Sequence, residues 1–139
     1  MTYLVLIIIG GGFGKKQAPK INCPINQSLL FAHRGVCEIA PENSIQSIIS
    51  AKEKGFIAIE LDIMETADGE LILFHDLDGN RLLNQSISIQ KTSFESIKNL
   101  PLFKNGQSTN QTIPTLRSVF EKFGKEFIYY LDLKCANQI

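Results

Sequence analysis

Apolar residues in this chain fall into short runs separated by polar and turn-forming stretches, and the runs differ in character. Residues 29–32, 57–63, 71–74 and 127–133 are rich in Ile, Leu and Phe and have the length of strands. Residues 44–54 and 116–123 carry the mixed pattern of helices. Asn43 or Ser44 offers a cap to the first helix and Gly55 a stop, while Pro114-Thr115 leads into the second. Asp68-Gly69 marks a turn between the second and third strands. Residues 77–110 read as polar and irregular, apart from a short helix over 93–100. The alternation of strand and helix predicts an α/β fold.

Candidate chemistry gathers at the ends of these runs. Residues 29–31 lead into Ala32-His33-Arg34-Gly35, and residues 71–74 lead into His75-Asp76. Between them, Glu60 and Asp62 stand two residues apart on a strand, so both carboxylates project from one face. Asp132 and Lys134 close the fourth run. Imidazole, guanidinium and paired carboxylates at successive strand ends suit metal-assisted chemistry on a phosphate ester.

Composition narrows the setting. The chain is 44% hydrophobic and 20% charged, with 14 basic and 14 acidic residues among 139, the balance of a soluble globular domain. Zero net charge without a basic stripe excludes nucleic acid as the expected partner. Cys23, Cys37 and Cys135 lack the spacing of a zinc site and read as ordinary thiols. Residues 3–9 form an apolar run followed by three glycines, too short to span a bilayer, with Lys15, Lys16 and Lys20 after it. Residues 1–22 are therefore expected to be a clipped signal or membrane anchor with its linker, giving an exported or membrane-associated protein. The glycines follow an apolar run as in a dinucleotide site, but no acidic residue stands at the ribose position of a βαβ unit.

The run Ala32-His33-Arg34-Gly35, Pro41-Glu42-Asn43-Ser44, Glu60-Leu61-Asp62, Thr66-Ala67-Asp68-Gly69 and His75-Asp76, with Ile113-Pro114-Thr115-Leu116 further on, resembles the glycerophosphodiester phosphodiesterase family in order, spacing and residue type. The resemblance implies a (β/α)8 TIM barrel. Such a barrel takes about 250 residues, so residues 23–139 are expected to hold its first half, about four strands, with a small insertion after the third. The other half would come from a longer chain, from another polypeptide or from self-association.

By the same resemblance, the activity would be hydrolysis of a small glycerophosphodiester to an alcohol and glycerol 3-phosphate. Glu60, Asp62 and Asp132 would hold Ca²⁺ or Mg²⁺, since every proposed ligand atom is an oxygen. His33 would accept the proton of the attacking hydroxyl, and His75 would protonate the departing alcohol. Arg34 and Lys134 would bind phosphate oxygens. Glu42 and Asn43 have two readings, contact with the site or a helix entry where an acidic side chain favours the dipole, and the second is preferred. One departure from the family pattern is Asp132, where the family usually has glutamate. Sphingomyelinase D-type phospholipases also carry aspartate there and are the alternative enzyme reading. A non-catalytic fragment that binds metal or phosphate is the alternative of a different class.

Overall fold

The computed structural model describes the backbone of Leu6–Ile9 and residues 29–134. Its strands are β1 (Leu6–Ile9), β2 (Phe31–His33), β3 (Ala58–Glu65), β4 (Leu71–Leu73), β5 (Phe103–Lys104), β6 (Gln107–Ser108) and β7 (Ile128–Leu133). The helices are α1 (Ile45–Glu53), α2 (Phe94–Ile97) and α3 (Leu116–Phe123). The main sheet runs β1-β7-β3-β2, with β4 attached to β3. β2, β3 and β7 are parallel; His33 lies opposite Glu60, and Asp62 opposite Asp132.

Period-two alternation splits β3 between two environments. Ile59, Leu61 and Ile63 pack with Tyr129 and Leu131 of β7 against Ile48 and Ala51 of α1 and Val119 and Phe123 of α3. This is the main core. The other face of the strands carries Glu60, Asp62 and Asp132, and lower down Phe31 meets Tyr130 edge to face, ring centroids 6.0 Å apart. One covered face and one face bearing polar groups at its upper end match a barrel wall with a helical layer outside it.

The helix ends agree with the sequence. Ser44 caps α1 by accepting from the Ser47 backbone N–H, and Ser47 Oγ accepts in return from the Ser44 N–H. Thr115 caps α3 by accepting from the Ser118 N–H.

Two regions differ from the sequence expectation. β4 pairs antiparallel with β3, not as a further parallel strand. The turn over residues 66–70 is far too short for a parallel crossover, which takes about a dozen residues or more. The rim is thus built from three parallel strands and one returning hairpin arm. The stretch expected to be polar and irregular has an apolar core of its own: Leu82, Leu83, Ile89, Ile97, Leu102 and Ile113 close around Met64, Ile72 and Phe74. The predicted helix over 93–100 is the shorter α2, and β5 and β6 form a hairpin through Asn105 and Gly106, both at positive φ.

The apolar segment expected to be a leader contributes β1, whose backbone pairs antiparallel with β7, Leu6 opposite Leu131 and Ile9 opposite Ile128. The remainder of that segment with its linker, Cys23 and Cys135 lie outside the described residues. Among the described residues no helix is long and apolar enough to cross a membrane, and Cys37 is a free thiol.

Candidate active site

The end of β2 turns sharply. Arg34 and Gly35 both take positive φ, 53° and 83°, which aims the Arg34 backbone N–H at Glu60 Oε2, 2.9 Å away. The chain then loops out and returns, and the Arg34 carbonyl accepts from the Asn43 N–H and from Ser47 Oγ, each at 3.0 Å. A Cβ on Gly35 would sit 2.7 Å from the Ser47 backbone, so the close approach of this turn to α1 admits only glycine.

Beside that turn lies the acidic group. One oxygen from each of Glu60, Asp62 and Asp132 falls within 4.8 Å of the others. Asp62 is 1% exposed and is flanked by two cations: Arg34 Nε is 3.0 Å from Oδ2 and Lys134 Nζ is 3.0 Å from Oδ1. Lys134 Nζ also donates to Asp132 Oδ2 at 2.6 Å. Burial pulls the lysine pKa down, but the bonds to Asp132 and Asp62 outweigh it and hold it above the ordinary value. Burial and then the charge of Asp62 push Glu60 up. A carboxylate made costly by its neighbours is relieved by added positive charge, and an all-oxygen set suits a hard divalent cation.

One histidine ends β2 and the other follows β4, both on the edge of β3 away from β7. His33 is 72% exposed, and its Nε2 lies 3.9 Å from Glu60 Oε2. His75 reaches the rim because β4 runs back along β3: the Phe74 N–H donates to the Asp62 carbonyl at 3.1 Å, which sets the next residue at the level of the acids. His75 Nδ1 lies 2.7 Å from Asp76 Oδ1. Asp76 is partly buried, which pushes its pKa up, but hydrogen bonds from Arg81 and then His75 bring it below the ordinary value.

Residues 33–139 match the Glycerophosphoryl diester phosphodiesterase family. The chain belongs to this family. A glycerophosphodiester phosphodiesterase of Caldanaerobacter subterraneus subsp. tengcongensis is 37% identical over 111 residues, covering 78% of this chain and 46% of the relative. The crystal structure of the Agrobacterium tumefaciens glycerophosphodiester phosphodiesterase superposes with a TM-score of 0.73 at 26% identity, over 80% of this chain and 49% of that one. An Oleispira antarctica phosphodiesterase solved with the product sn-glycerol-3-phosphate gives 0.70 at 33% identity, over 77% and 44%. The chain spans about half the length of the curated relatives it matches. Its fold is accordingly a partial (β/α)8 barrel.

Within this family frame, the three acids, Arg34 and Lys134 are in direct contact, and His33 joins them through Glu60. His75 joins through Asp76 and two residues that sequence reading placed elsewhere or passed over. Glu42, read as part of a helix entry, instead accepts from Arg34 Nη1 at 2.7 Å and from both terminal nitrogens of Arg81 at 2.8 Å. Asn43 is buried against Asp62, and the cap falls to Ser44. Arg81 lies in the stretch after β4, where no periodicity singles it out.

Proposed function

We propose that this chain carries the metal-dependent, two-histidine site of a glycerophosphodiester phosphodiesterase, which splits glycerophosphodiesters into an alcohol and glycerol 3-phosphate. The observation that carries the reading is the meeting of Glu60, Asp62 and Asp132 with Arg34 and Lys134 at one rim that also carries two histidines. The product found in the Oleispira antarctica structure has the chemistry this rim fits.

Glu60, Asp62 and Asp132 are the residues that would hold Ca²⁺ or Mg²⁺, and the cation would supply positive charge beside the phosphate oxygens. Arg34, held by Glu42 at Nη1 and set beside Asp62, brings a planar positive charge toward the phosphate oxygens. Lys134 adds a second positive charge. Asp76 stays ionised and can only accept, so it holds the proton of neutral His75 on Nδ1 and leaves Nε2 for the substrate. In the first step His33 takes the proton of the glycerol hydroxyl next to the phosphate. That oxygen attacks phosphorus, and the bond to the alcohol breaks as protonated His75 gives its Nε2 proton to the leaving oxygen. Water then opens the cyclic phosphate, with the two histidines returning the protons in the opposite sense.

The test is release of glycerol 3-phosphate from glycerophosphocholine by the purified chain, with Ca²⁺ or Mg²⁺ and with chelator. Cation-dependent release, lost in both His33→Ala and His75→Ala, is expected. A folded chain that binds the cation and releases no product would assign it to the non-catalytic reading.

A further inference from the structure

Arg81 stands on the segment after β4, outside the acids, the phosphate-binding cations and the histidines. Its guanidinium lies between two carboxylates and is bidentate to both. Nε and Nη2 donate to Asp76 Oδ2 and Oδ1 at 2.8 and 2.9 Å, while Nη1 and Nη2 donate to Glu42 Oε2 and Oε1, each at 2.8 Å. Each carboxylate in turn holds a residue of the proposed reaction: Asp76 binds His75 Nδ1 and Glu42 binds Arg34 Nη1. The peripheral pairs Lys54–Glu38 and Lys98–Glu95 join a flexible lysine to an exposed glutamate and lead nowhere further. Arg81 differs from them because a planar fork saturated on both sides fixes orientation as well as charge.

We infer that Arg81 is a positioning residue, which locks the Asp76 carboxylate onto His75 and the Glu42 carboxylate onto Arg34, so that one side chain sets both the leaving-group imidazole and the phosphate-binding guanidinium. Four of its five donors go to these two carboxylates, so it acts through its neighbours and not on the phosphate. The inserted segment is thereby part of the site: the small core around Leu82 and Leu83 anchors the backbone on either side of this clamp. The catalytic consequence rests on the function proposed above; the effect on the imidazole does not.

The test uses both levels. The chain has two histidines, so ¹⁵N-histidine labelling yields two ring systems, told apart with a His33→Gln variant. At about pH 9, where imidazoles are neutral, the unsubstituted chain is expected to show His75 as the Nδ1–H tautomer. Arg81→Gln is expected to move it toward a mixture of tautomers while the backbone amide spectrum stays folded. Arg81→Lys, which restores charge without the fork, is expected to fall between them; should Arg81→Gln not fold, the lysine variant is read in the same way against the unsubstituted chain. An unchanged His75 tautomer in a folded Arg81 variant overturns the inference. On glycerophosphocholine, kcat is expected to fall about 10- to 100-fold with a smaller change in KM. A chain that turns over no glycerophosphocholine defeats the proposed function, and the ring spectra still decide the role of Arg81.

Discussion

Asn43 and Asp62 exchange two hydrogen bonds: Asn43 Nδ2 donates to Asp62 Oδ2 at 2.8 Å, and the Asp62 backbone N–H donates to Asn43 Oδ1 at 3.2 Å. Asn43 achieves this from the left-handed region, at φ 55°, while 1% exposed. A short amide is among the few side chains that tolerate that backbone and still reach back to the strand.

Replacing Asn43 separates these two roles. Asn43→Ala loses both bonds, leaves a buried N–H unpaired and keeps a Cβ at positive φ; it should destabilise the chain by about 2–4 kcal/mol. Asn43→Gly loses the same bonds without the backbone cost and should recover about 1 kcal/mol. Both should weaken Ca²⁺ or Mg²⁺ binding about 10- to 100-fold, because Asp62 loses the hydrogen bond that orients Oδ2. Urea unfolding and calorimetric cation titration check the two parts. Equal stabilities of the Ala and Gly variants would remove the backbone part of the explanation.

Gly35→Ala should be among the costliest single-methyl changes in the chain. The added Cβ meets the Ser47 backbone at 2.7 Å in a residue at φ 83°, so either the turn or the first part of α1 must move. Strain and overpacking together predict a loss of about 2–5 kcal/mol. Gly55→Ala shares the positive φ but has open space around it, and should cost only about 1 kcal/mol. Thermal unfolding of the two variants side by side decides whether close approach, beyond the backbone angle, sets the requirement at Gly35.

The Arg81 clamp should appear as acid sensitivity. Burial raises Glu42 and Asp76, but the arginine bonds, joined at Asp76 by that of His75, bring both below their ordinary values of 4.5 and 3.8. A carboxyl depressed in the folded state adds stability that is present above its unfolded pKa and is lost as pH falls through the folded one. Stability should therefore drop below about pH 4.5, and Arg81→Gln should flatten that limb. Glu60 has the opposite sign: burial and Asp62 raise it, so its contribution worsens as pH climbs through the folded value. Added Ca²⁺ or Mg²⁺ should thus stabilise the chain more at neutral pH than near pH 5. Urea unfolding across this range, with and without the cation, gives both slopes.

What could be read along the chain is what depends on neighbours close in sequence. The Ser44 cap, the Asp68-Gly69 turn and the strand runs follow from local backbone preferences and side-chain period. The same period placed Glu60 and Asp62 on one face, and a parallel partner with Asp132 opposite Asp62 completes the group. Histidines at run ends were legible for the same reason, although His75 arrives on a hairpin arm that runs back along β3.

Chain pattern by itself determined the alternation of strands and helices, the seven candidate residues and, through the family motifs, the half-barrel. Tertiary structure alone decided how those residues are held. Asn43 meets Asp62 across 19 positions and Arg81 meets Glu42 across 39, contacts with no period to betray them. The second core likewise draws Met64 at the end of β3 together with Leu82, Leu83 and Ile89 from a stretch that looks polar. Hydrogen-bond partners this distant are set by where a loop returns and which way a hairpin arm runs, and those follow from packing, not from the residues on either side.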